Sequence, residues 1–135
     1  MFKDFDISSF KKMKPPGDNT FDTMQEVKEL ESIPLNKKFV KDNDDIEAAF
    51  KKTAKDNGVE DYDSKTAAKL IKESAPVILE LKKHFNRPRP KVMAKKMNIN
   101  MKDIEMQSMK TPSYPSGHSV QGVLIAKVLG DKYSK

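Results

Sequence analysis

The sequence contains no cysteine and no tryptophan, and only two of its 26 basic residues are arginine. Without cysteine there is no disulfide framework and no thiolate metal centre, and the redox compartment stays open. Long apolar runs are lacking too. The longest, Ala75 to Leu79 and Val123 to Ala126, fall far short of the ~20 residues that a membrane-spanning helix needs. Met1 to Phe10 alternates charge with aromatics and has neither an apolar h-region nor a small-residue cleavage site, so no secretory signal is read there. A soluble, cytoplasmic protein is the expectation. Leu, Ile, Val and Phe together make 30 of 135 residues, just above the level at which disorder becomes the default. The length suits one domain, and its core should be thin, with eight methionines helping to fill it.

The net charge is +6, carried by 24 lysines spread in pairs with acids between them. Such mixed-sign spacing reads as a solvated surface. Nucleic acid is not an expected partner, because no basic stripe with interleaved aromatics is present. The Lys-heavy, Arg-poor usage suggests an AT-rich genome, and a viral protein in a host cytoplasm would fit. Both arginines, Arg87 and Arg89, sit together. Where lysine serves almost everywhere, an arginine suggests a task that needs the planar, bidentate guanidinium fork.

Residues 1–19 read as an irregular arm ending in the breaker cluster Pro15-Pro16-Gly17-Asp18-Asn19. Residues 20–135 read as one helical domain. Thr20 or Asn19 can cap a helix to about Ile33, with Phe21, Met24, Val27 and Leu30 on one face. A second helix is expected from about Asn36 to Asp56, stopped by Asn57-Gly58. Ser64 looks like the cap of a third, in which Pro76 either kinks the helix or restarts it after Ser74. Pro88 and Pro90 end that helix. Residues 86–115 are the least regular stretch, with one short helix near Lys91 to Met97. Ser116 to Lys132 reads as the last helix. Its small residues Ser119, Gly122 and Ala126 are expected to approach another helix, and Val120, Val123, Leu124 and Val128 to supply larger contacts. With no convincing period-2 strand, the predicted fold class is all-α.

Two short stretches hold both arginines and both histidines: Lys82-Lys83-His84-Phe85-Asn86-Arg87-Pro88-Arg89-Pro90 and Tyr114-Pro115-Ser116-Gly117-His118-Ser119. Pro115-Ser116-Gly117 opens a helix, whose first N–H groups lack intrahelical partners and whose dipole is positive there, so it suits an anion. Gly117 lets the backbone approach closely, Ser116 adds a hydroxyl, and His118 beside a bound phosphate can donate a proton to a leaving oxygen. The plainer reading is a serine cap with a histidine in the first turn. Lys82 near a helix end and Arg89 in the next turn bring two cations that suit phosphate oxygens. A preference of cations for helix C-termini also explains Lys82 and Lys83, though not why the arginines fall here.

Together these residues resemble the type 2 phosphatidic acid phosphatase superfamily, which includes class A acid phosphatases and vanadium-dependent haloperoxidases. Lys82, six residues, then Arg89-Pro90 is similar to its first motif, and Pro115-Ser116-Gly117-His118 to its second. The resemblance covers about residues 64–132. It implies an all-α bundle of the acid phosphatase type. It also implies that Lys82, Arg89, Ser116 and Gly117 bind phosphate and that His118 acts as general acid. The reaction implied is metal-free hydrolysis of a small phosphomonoester through a phosphohistidine. No cofactor is implied, except vanadate under the haloperoxidase alternative.

The third motif of that family, Ser-Arg, five residues, His, three residues, Asp, is not found. The 17 residues after His118 hold no Arg and no His. His84 cannot replace the nucleophile, having no Ser-Arg before it and no Asp four residues after it. The expectation is therefore a truncated or split form with its C-terminal part missing and little turnover alone. It would pair with a second copy or a complementing C-terminal fragment. A non-catalytic helical anion-binding protein is the alternative from a different class.

Overall fold

The computed structural model describes residues 5–102 and 109–133. Among them lie seven helices and no strand, so the chain is all-α. The helices are α1 (Ile7–Phe10), α2 (Phe21–Ser32), α3 (Lys37–Asn43), α4 (Ile46–Asp56), α5 (Ser64–Phe85), α6 (Pro90–Lys96) and α7 (Gly117–Tyr133). None is long and apolar enough to cross a membrane.

Local side-chain chemistry sets most boundaries. Thr20 caps α2 by accepting from the Thr23 N–H, and Asn36 caps α3 by accepting from the Phe39 N–H. Helix α5 starts one residue earlier in its capping than Ser64 suggests: Asp63 is the cap and accepts from the Thr66 N–H at 3.0 Å. The Lys132 ammonium at 3.2 Å and the Thr66 bonds hold the Asp63 carboxyl down at about 2, with the Thr66 bonds the larger cause. Pro76 does not restart α5, which runs through it. Pro76 is exposed, so the Lys72 carbonyl it leaves without a helical donor lies on the solvent side. At the far end Asn86 adopts the left-handed conformation (φ 47°) and returns its N–H to the Lys82 carbonyl, a role Asn tolerates better than most residues. Pro90 then begins α6 at a first-turn position.

Three sequence expectations are corrected. The single helix over residues 36–56 is two helices, because Asp45 turns its carboxylate onto the Ala48 N–H and starts α4 afresh. The arm over residues 1–19 contains the one-turn helix α1, capped by Asp6, and it packs on α5. Phe5 stacks on Phe10, and Lys11 reaches Glu80 at 3.1 Å. On α7 the buried residues are Ile125 and Leu129, whereas Val123 and Val128 are exposed. Ser119 and Ala126 are exposed as well, whereas Gly122 is half-buried and faces Ile46. Of the irregular stretch 86–115, residues 103–108 lie outside the described residues.

Packing centres on α5. It makes its most extensive contact with α7, where Ala67, Leu70, Ile125 and Leu129 form one buried cluster flanked by Phe50 and Tyr62. A second cluster joins α2 to α6 through Val27, Met93 and Ala94, with Met97, Ile99 and Met101 around it. Both clusters are small, and large apolar side chains such as Phe21, Phe39 and Val123 remain exposed. The C-terminal end of α5, Arg89 before α6 and the start of α7 border one cleft, and there the two conspicuous stretches meet.

Candidate functional site

Lys82 sits in the last turn of α5 and Arg89 just before α6, separated by the Asn86 turn. Ser116, Gly117 and His118 open α7, after a cis Tyr114–Pro115 peptide bond. All five expected residues line one cleft of about 390 Å³. Its remaining walls are Ala75, Ile78 and Leu79 of α5, Gln121 of α7, and Thr111. Among the described residues that line it, none is acidic.

Lys82 is the most unusual member. Its side chain is buried, with 4% of the residue exposed. Its ammonium donates to the Pro112 carbonyl, and among the described residues no carboxylate pairs with it. Burial, and then the positive charge of Arg89, pull its pKa down from 10.5 to about 8. Arg89 donates from Nε to the Thr111 carbonyl at 2.8 Å, and burial lowers its pKa as well. A buried ammonium facing only a carbonyl dipole is poorly compensated, and an anion in the cleft would improve its situation.

Ser116 caps α7: its Oγ accepts from the Ser119 N–H at 3.2 Å and its carbonyl accepts from the Val120 N–H. A hydroxyl that accepts in this way still has its hydrogen to donate, so the capping and anion-binding readings of Ser116 are compatible. The N–H groups of Gly117 and His118 come earlier in the turn, where no intrahelical carbonyl reaches them. The His118 side chain is 43% exposed and hydrogen-bonds through Nε2 to the Asp44 carbonyl, with the Asp44 carboxylate 3.7 Å away. A carbonyl can only accept, so Nε2 carries the hydrogen in this arrangement. The break between α3 and α4 thereby contacts the cleft.

The remaining members of the two stretches fall elsewhere. Arg87 turns to α2, bonding Glu26 at 2.8 Å and Thr23 at 3.3 Å, and lines a separate hollow of about 200 Å³. It fastens the loop after α5 to α2. His84 is exposed at the end of α5, edge-on to Phe85, and does not line the cleft. Among the described residues no group of His, Asp and Glu is placed to hold a metal ion.

Sequence reasoning missed Gln121, Asp44 and the 111–113 segment. Gln121 lies one turn beyond Gly117 on the same helix, so helical spacing from the second motif would have found it. The 111–113 segment directly precedes the second stretch, within the irregular region 86–115, whereas Asp44 comes from a distant part of the chain and carries no local signal.

Comparison with protein-family models, with curated proteins and with solved structures finds no match for this chain.

Proposed function

We propose that the cleft is a phosphate-binding site of the type 2 phosphatidic acid phosphatase kind, taking the phosphate group of a small phosphomonoester. The observation that carries this reading is the buried Lys82 ammonium, which lines one cleft with Arg89 and the first turn of α7, a cleft whose described lining residues include no acid. Phosphate oxygens would take the Lys82 and Arg89 donors, the Gly117 and His118 N–H groups and the Ser116 hydroxyl. In hydrolysis the two cations would stabilise charge building on the phosphoryl oxygens, and His118 would protonate the leaving alcohol oxygen.

Phosphohistidine chemistry needs a second imidazole in the cleft, and this sequence has two histidines, of which His84 lies outside it. The reading is therefore binding without appreciable turnover by this chain alone. A nucleophile would come from a complementing segment.

Isothermal titration with inorganic phosphate, and with vanadate as a second probe, tests the site. Saturable binding is expected, weakened roughly tenfold in Arg89→Lys because a point charge replaces the bidentate fork. Absence of saturable binding by the parent chain would overturn the reading, and equal binding by Arg89→Lys would overturn the role given to the guanidinium.

A further inference from the structure

The anion site is assembled from two stretches far apart in sequence, and something must hold them at one separation. The first stretch donates into the segment 111–113 that leads into the second, from Lys82 to the Pro112 carbonyl and from Arg89 to the Thr111 carbonyl at 2.8 Å. That segment donates back through Ser113. Its N–H bonds the Arg87 carbonyl at 2.9 Å, and its hydroxyl reaches the same carbonyl at 3.2 Å and the Pro88 carbonyl at 2.9 Å.

The composition of this crossing explains why a serine stands there. Pro88, Pro90 and Pro112 have no N–H to give, so carbonyl acceptors outnumber backbone donors where the two segments meet. The Ser113 hydroxyl supplies a donor that the prolines cannot. With these bonds in place, the Thr111 and Pro112 carbonyls stand against the two cations and orient them. One donor of each cation goes to its carbonyl, out of the three of an ammonium and the five of a guanidinium.

We propose that Ser113 is a positioning residue of the anion site, the clamp that holds the Thr111–Pro112 carbonyls against Arg89 and Lys82 and so fixes the cations relative to the start of α7. This deepens the phosphate-binding reading and rests on it. Ser113 acts through other groups and does not itself line the cleft.

The test compares the parent chain with Ser113→Ala, Ser113→Cys and Ser113→Thr. Inorganic phosphate affinity is measured by titration calorimetry, folding by thermal melting, and the Lys82 ammonium by NMR titration of 13C-labelled lysine side chains. Ser113→Ala should weaken phosphate binding roughly tenfold, the scale of leaving the part-buried Pro88 carbonyl without its donor. It should also let water reach Lys82, moving its titration upward from about 8 toward the ordinary lysine value. Ser113→Thr, which keeps the hydroxyl, should restore both. If Ser113→Ala fails to fold, Ser113→Cys carries the comparison, because a thiol keeps the size and is a weak donor. Phosphate affinity and a Lys82 titration both unchanged in the folded variant would overturn the clamp. If the parent chain does not bind phosphate, the functional reading fails by itself. The Lys82 titration still decides: movement in Ser113→Ala with recovery in Ser113→Thr supports the clamp, and no movement overturns it.

Discussion

Replacing Lys82 with methionine should expose how much folding free energy the cleft withholds. Methionine keeps the buried aliphatic stem of a residue only 4% exposed, and it removes the charge. The drop in the Lys82 pKa from 10.5 to about 8 corresponds to about 3 kcal/mol at neutral pH, at 1.36 kcal/mol per decade. Against that, the variant leaves the Pro112 carbonyl without its donor, which costs about 1–3 kcal/mol. The net change at pH 7 is thus a small difference, and its pH dependence is the sharper quantity. The folded-state pKa lies below the unfolded one, so between about 8 and 10.5 the unfolded chain binds more protons and stability rises with pH. Below about 8 the full penalty applies. From pH 7 to pH 9.5 the wild type should therefore gain about 2 kcal/mol relative to Lys82→Met. Groups common to both proteins cancel in that difference, including Tyr62, whose hydroxyl is pushed up mainly by burial. Urea unfolding followed by circular dichroism at the two pH values measures it. A difference that stays constant with pH would refute the buried-cation argument. Saturating sulfate, whose own charge does not change in this window, should flatten the wild-type rise by keeping Lys82 charged.

Three further substitutions test the surroundings. In Gly117→Ala the new Cβ would meet Ile78 Cγ2 at 3.7 Å, ordinary contact, so the melting temperature should hold while phosphate affinity falls roughly fivefold; equal affinity by calorimetry would remove the close-approach role of that glycine. Gly122→Ala should stabilise by about 0.5–1 kcal/mol, since alanine is the better helix former and its Cβ would lie 3.6 Å from Ile46 Cδ1; a lower urea midpoint would mean that the α4–α7 contact is tighter than described. Tyr133→Phe removes a hydroxyl that accepts from the Asp63 N–H at 2.8 Å and donates to the Asp61 carbonyl at 2.9 Å. It should cost about 1–2 kcal/mol and speed hydrogen exchange at Asp63, and unchanged exchange there would show that the hydroxyl does not tie α7 to the start of α5.

How much of the molecule could be read in advance depended on the range of the interaction. Thr20, Asn36 and Pro90 mark their helix starts because a cap bond or a missing N–H acts within one turn. The break at Asp44-Asp45 was also local, an aspartate bonding three residues ahead, yet the continuing apolar pattern from Phe39 to Ala54 concealed it. For α7, the valines at 123 and 128 have the right hydrophobicity but face outward, while Ile125 and Leu129 meet Ala67 and Leu70. Hydrophobicity alone did not say which side α5 would cover.

The site divides in the same way. The sequence by itself singled out Lys82, Arg89, Ser116, Gly117 and His118, by type and spacing, as the residues expected to serve an anion. It also determined that Ser116 would start a helix, because capping needs only the next few N–H groups. Only the tertiary structure decided that the five share one cleft, that Arg87 turns away to Glu26, and that Asp44 meets His118. It alone decided that Lys82 is buried against a carbonyl 30 residues away in the chain. Whether a lysine lies in water or out of it depends on the segments packed around it, here brought in by the crossing at Ser113. No pattern of neighbouring residues encodes that enclosure, and the enclosure is what turns an ordinary cation into one whose pKa is set by its surroundings.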